Sequence, residues 1–197
     1  SYLMTDVAAA SLMLRDASPD TIVIREPRDG YQFPNGVVTE FEVELPIAAR
    51  RWWNPTCPKT KFDKKCVDQF LSYAQFPKLP SRPEACVGWG PGLTPAGDDV
   101  VLGMLITFHA LERPSLSNDL YEVCRKDATT AYSYELLRYA SRGQAARPVL
   151  HLMEALGGFG DLDQAVESLA NFGATSGGYV MEGVRQALNI ASKSEPV

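Results

Sequence analysis

The residues best suited to chemistry in this chain form one run, Gly88-Trp89-Gly90-Pro91-Gly92-Leu93-Thr94-Pro95-Ala96-Gly97-Asp98-Asp99. Its four glycines and two prolines are too dense for a helix or strand. Glycine admits positive φ and lets another group approach the backbone closely, while proline removes freedom, so the loop is expected to be shaped rather than floppy. The apolar stretch after it, Asp98 to Leu111, reads as a helix. Unpaired N–H groups and the positive end of the dipole at its start would attract a phosphate or carboxylate. The loop is not a Walker A motif, because no Lys follows the last glycine, and the glycine spacing is wrong for dinucleotide binding.

Asp98 and Asp99 would repel a bare anion. They are therefore read as catalytic groups, one accepting a substrate proton, or as ligands of Mg²⁺, which often binds through one or two carboxylates plus substrate oxygens. The competing reading makes them ordinary helix-start charges, worth about 0.3–1 kcal/mol. A second loop, Asn171-Phe172-Gly173-Ala174-Thr175-Ser176-Gly177-Gly178-Tyr179, opens the last helix. Thr175 or Ser176 can cap that helix and donate from a hydroxyl, and Gly177 and Gly178 leave space for a ligand. Gly90, Gly92, Thr94, Gly97, Thr175, Ser176 and Gly177 are the candidate substrate-binding residues, with the two loops converging on one pocket. Thr129, Thr130 and Ser133 lie beside an apolar helix and could line the pocket, with a solvent-facing or helix-capping role expected ahead of that. His109 is expected to be packed or exposed without a role, and Trp52 and Trp53 to belong to the core or the lobe interface rather than to stack on a ligand.

The elements that must position these residues fall into two styles. Before Pro77 to Pro83 the chain reads as strand-rich. Thr21 to Ile24 is β-branched, and Val37 to Leu45 alternates apolar and polar residues after Asn35-Gly36. Val7 to Leu14 reads as a helix, as does Asp63 to Tyr73. After Pro83 the pattern is helical: Asp98 to Leu111, a helix from Ser117, Tyr132 to Tyr139, Pro148 to Leu156, Leu162 to Phe172, and Gly177 to Ile190, most of them punctuated by Gly or Pro. The expectation is an α+β chain, with an N-terminal β-containing lobe over residues 1–80 and a mainly helical lobe over 81–197, together one compact unit.

With 197 residues the chain is long enough for one sizeable core. A net charge of -5 argues against nucleic acid as a partner. The cluster Lys59, Lys61, Lys64 and Lys65 reads as a solvated loop. No stretch approaches the roughly 20 apolar residues of a membrane helix, and no secretory signal is evident, so a cytoplasmic protein is expected. Cys57, Cys66, Cys86 and Cys124 form no CxxC pair, so a zinc motif is not expected; Cys57 and Cys66 could be bridged, with free thiols the default.

Gly90 to Asp99 resembles the signature G-P-G-L-T-P-S-G-D-D of a bacterial family, domain of unknown function 2877, and Gly173-Ala174-Thr175-Ser176-Gly177 resembles its second motif, G-H-T-S-G. Thr130 to Leu136 and Ala140 to Gly143 are similar to the segment between them. One branch of that family is the small subunit of oxamate carbamoyltransferase, in allantoin and purine breakdown. The resemblance implies a subunit that handles a small anionic substrate of the carbamoyl phosphate or oxamate type and works with larger partner subunits, self-association being another option. Thr94, Asp98, Asp99, Thr175 and Ser176 are the residues carried over. Ala96 stands where the family has Ser, and Ala174 where it has His. Two readings follow: a carbamoyltransferase-like enzyme subunit, or a non-catalytic ligand-binding or assembly subunit.

Overall fold

The structure, a computed structural model, describes residues 56–73, 77 and 86–193, and the backbone alone of 2–3, 12–13, 21–24 and 43–46. The chain divides into two compact units, Ser1–Asn54 and Pro55–Val197.

The second unit is built on α2 (Ala96–Ala110). Its sequence is apolar on every side, the pattern of a helix enclosed by its neighbours. Thirteen of its fifteen residues are buried. Against it lies α7 (Ser176–Lys193), which touches α2 more extensively than any other helix does. Glycines make that approach possible. A Cβ on Gly103 would stand 2.2 Å from the Val180 carbonyl oxygen, and one on Gly183 would stand 2.0 Å from that of Val100. The two backbones therefore meet without side chains between them.

Five shorter helices complete this unit: α1 (Lys64–Ser72), α3 (Pro114–Glu122), α4 (Ala131–Ala140), α5 (Arg147–Leu156) and α6 (Leu162–Ala170). Their starts are written in the sequence. Asp63 accepts the Cys66 N–H at 3.0 Å and Asp161 the Gln164 N–H at 3.1 Å, and proline opens α3 and α5. The helices α3 and α4 pack on α2, α5 packs on α1 and α6, and α6 packs on α7. The core they share runs from Cys57 to Leu188 and includes the fully buried Val101, Leu105, Leu152 and Val184.

The α+β expectation does not hold. Among the fully described residues there are seven helices and no sheet, only an isolated bridge between Thr56 and Gln144. In the first unit β1 (Tyr2–Leu3) pairs antiparallel with β2 (Leu12–Met13), and β3 (Thr21–Ile24) with β4 (Val43–Pro46). No third described strand joins either pair. Two-stranded ribbons bury too little to form a layer of their own. Among the described residues, period-two patterning therefore marks local extended chain and no β layer. Leu12–Met13 is strand where a helix was expected from Val7 to Leu14. Val37 to Glu42 and the two N-terminal tryptophans, Trp52 and Trp53, lie outside the described residues. Cys57 and Cys66 are free thiols, and no described helix is long and apolar enough to cross a membrane.

Candidate functional site

The glycine loop folds back on the helix it introduces. Gly88, Gly90 and Gly92 take φ of 77°, 107° and 103°, the left-handed region that residues with a Cβ resist. Trp89 closes the loop at both ends. Its N–H donates to the Cys86 carbonyl at 2.8 Å, and its carbonyl accepts the Gly97 N–H at 2.9 Å. The Pro95 carbonyl accepts the N–H groups of Asp98, at 2.9 Å, and Asp99, at 3.2 Å. The N–H groups of residues 97–99 are thus paired within the chain. The start of α2 is not the open anion cradle that its sequence suggests.

The adjacent aspartates have different surroundings. Asp98 is 1% exposed. One carboxylate oxygen accepts the Gly88 N–H at 2.7 Å, and the other accepts the Thr129 hydroxyl in a short hydrogen bond. Asp99, 5% exposed, faces the second loop instead. Burial pushes its carboxyl up to about 7; hydrogen bonding from the Ser176 hydroxyl opposes that rise, and the neighbouring Asp98 adds to it. Thr94 reaches the same place from the glycine loop, its hydroxyl 3.4 Å from that of Ser176.

Thr94, Asp99 and Ser176 therefore meet, drawn from the loop, from α2 and from the first residue of α7. The meeting of the two loops expected from sequence is seen in these three residues. Ser176 has one proton. While it donates to ionised Asp99, Thr94 must donate to Ser176; once Asp99 is protonated, the direction can reverse.

The remaining candidates divide by surroundings. Gly92 opens onto free space, with no heavy atom within 4 Å of where its Cβ would be. Gly90 curls over Ala96, the nearest atoms 3.0–3.2 Å from its would-be Cβ. Gly97 and Gly177 serve packing: a Cβ there would stand 1.7 Å from the carbonyl oxygens of Cys86 and Leu169 respectively. Thr175 is exposed, its carbonyl 3.4 Å from the Tyr179 N–H. Sequence reasoning ranked solvent-facing or capping roles for Thr129 and Thr130 ahead of a place at the site. Thr130 does cap α4, accepting the Ser133 N–H at 3.0 Å, but its hydroxyl also donates to the Leu93 carbonyl at 2.5 Å. Two consecutive hydroxyl residues just before a helix were the available signal.

No solved structure matches the chain. Over residues 86–188, just over half its length, it matches the family described as oxamate carbamoyltransferase subunit AllH. The matched span takes in both loops, the turn at 129–130 and the helices that hold them. A chain that carries this family's pattern over most of its helical unit belongs to the oxamate carbamoyltransferase subunit AllH family.

Proposed function

We propose that the chain is a working subunit of a carbamoyltransferase in nitrogen-compound breakdown, and that a small anionic substrate of the oxamate or carbamoyl phosphate type binds where Thr94 and Ser176 meet beside Asp99. The observation that carries this reading is the 3.4 Å approach of the Thr94 and Ser176 hydroxyls over a buried carboxyl. Two hydroxyl donors suit the oxygens of a carboxylate, carbamoyl or phosphoryl group. A carboxyl poised near 7 exchanges a proton readily at neutral pH, as transfer to or from an amide nitrogen requires. Asp99 is the general acid–base in this reading. As the family's description makes its members subunits, the proposed reaction takes place with partner subunits.

Asp98 has both oxygens engaged by the protein, and among the described residues no three His, Cys, Asp or Glu side chains gather to hold an ion. This donor set does not fit a resident Mg²⁺. Asp99 alone suits an Mg²⁺ that arrives on a phosphate-bearing substrate. The alternative, a non-catalytic binding or assembly subunit, draws on Trp89, Leu93 and Phe172, large apolar side chains exposed on the same two loops.

Calorimetry with oxamate and with carbamoyl phosphate, and turnover of the complex with its partner subunits, test the reading. Ser176→Ala is expected to weaken binding about tenfold, the equivalent of one good hydrogen bond. Asp99→Asn is expected to keep oxamate binding and cut turnover at least a hundredfold, the usual share of a general acid–base. Mg²⁺ is expected to strengthen carbamoyl phosphate binding and leave oxamate binding unchanged. Full turnover in Asp99→Asn would move the chain to the non-catalytic reading, and unchanged binding in Ser176→Ala would remove the site.

A further inference from the structure

We propose that Thr129 and Thr130 are positioning residues that fix the shape of the glycine loop from outside it, and that Asp98 belongs to this clasp rather than to the reacting groups. The inference rests on the site proposed above and explains how that site is held.

The turn before α4 grips the loop at both ends. At the near end, the Thr129 hydroxyl donates to Asp98, whose other oxygen holds the Gly88 N–H at 2.7 Å. Beside it, Gly88 lies against the Ala128 carbonyl, where a Cβ would come within 1.8 Å. At the far end, the Thr130 hydroxyl donates to the Leu93 carbonyl at 2.5 Å, one residue before Thr94. Leu93 and Gly92 are exposed, and Gly92 has nothing near it. The stretch between Gly90 and Thr94 must deliver the Thr94 hydroxyl to Ser176.

The Asp98 carboxylate is central to this arrangement. It is 1% exposed and bridges the loop's first glycine to the turn. Buried, with a partner from the protein on each oxygen, it is directed at the loop and the turn and away from solvent. It acts through the loop and through its neighbour Asp99, with which it shares the first turn of α2.

Calorimetry with oxamate on the chain with its partner subunits tests the clasp, using Thr129→Val, Thr129→Ser, Thr130→Ser and the site control Ser176→Ala. Loss of positioning raises Kd at unchanged binding stoichiometry. A purely structural role lowers the melting temperature and the binding-competent fraction and leaves Kd alone. Thr129→Val is expected to raise Kd about tenfold, while Thr129→Ser and Thr130→Ser, which keep the hydroxyl, stay within about threefold of the original. The clasp is overturned if Thr129→Val keeps the original Kd while Ser176→Ala loses affinity, or if Thr129→Ser is as weak as Thr129→Val. If the unaltered complex does not bind oxamate, or Ser176→Ala binds normally, the site itself is wrong and the clasp has nothing to position.

Discussion

At the scale of the residue, Asp99 leaves a signature in stability. Unfolded, its carboxyl titrates near the ordinary 3.8; folded, burial moves it to about 7. Between those values the folded chain keeps a proton that the unfolded chain has released, so this group subtracts stability as pH rises from about 4 to about 7. The penalty is absent below the unfolded value and complete above the folded one. Asp99→Asn removes it. The variant's unfolding free energy relative to the original is therefore expected to climb by about 2–3 kcal/mol between pH 5 and pH 8, at 1.36 kcal/mol per unit. Denaturant titrations at the two pH values measure this. A difference that stays flat across the range would mean that the folded state does not raise the Asp99 carboxyl above its unfolded value. The Asp98-Asp99 pair was legible in the sequence, because carboxylates after a glycine loop stand out. Their division of labour was not, because one turn of helix points adjacent side chains about 100° apart and only the fold says what each meets. The pairing of Thr129 with Asp98 was hidden as well. The two lie 31 residues apart in the chain.

At the scale of the element, helix positions were readable and helix spacing was not. Caps, prolines and apolar runs placed the helices of the second unit within a few residues of their observed ends, as at Asp63, Thr130 and Asp161. Glycines inside helices carry no such signal, and two of them in α7 illustrate opposite roles. Gly178 has no heavy atom within 4 Å of its would-be Cβ, so it contributes only backbone freedom to the unfolded chain. Gly178→Ala is expected to stabilise by about 0.5–1 kcal/mol. Gly183 lies against the Val100 carbonyl of α2, and a Cβ there meets backbone, which cannot rotate aside. Gly183→Ala is expected to destabilise by about 1–3 kcal/mol despite the gain in helix propensity. It should also weaken oxamate binding, because α2 carries Asp99 and α7 carries Ser176. Chemical denaturation of the two variants side by side decides the matter. Equal effects would show that the contact between α2 and α7 does not depend on the missing side chains.

At the scale of the whole molecule, the strand-like runs near the N-terminus led to an α+β expectation, and local patterning was asked to carry more than it could. Thr21 to Ile24 is a strand, yet a strand becomes a layer only through partners, and β3 has β4 alone among the described residues. The helical unit is different in kind. Its described core extends from Cys57 to Leu188, and every contact of the proposed site, from Gly88 through Thr129 to Ser176, is made within this unit. Burial of one continuous apolar core is the main term that drives cooperative folding. Residues 55–197 expressed alone are therefore expected to unfold in a single transition, with coincident loss of helical circular dichroism and of near-ultraviolet signal. In complex with the partner subunits they are expected to bind oxamate with an affinity within about threefold of the full chain's, since each 1.4 kcal/mol lost would cost a factor of ten. A fragment that keeps its helical signal while losing fixed side-chain packing would show that residues 1–54 complete the core. A cooperatively folded fragment with lost affinity would show instead that the first unit contributes to the site.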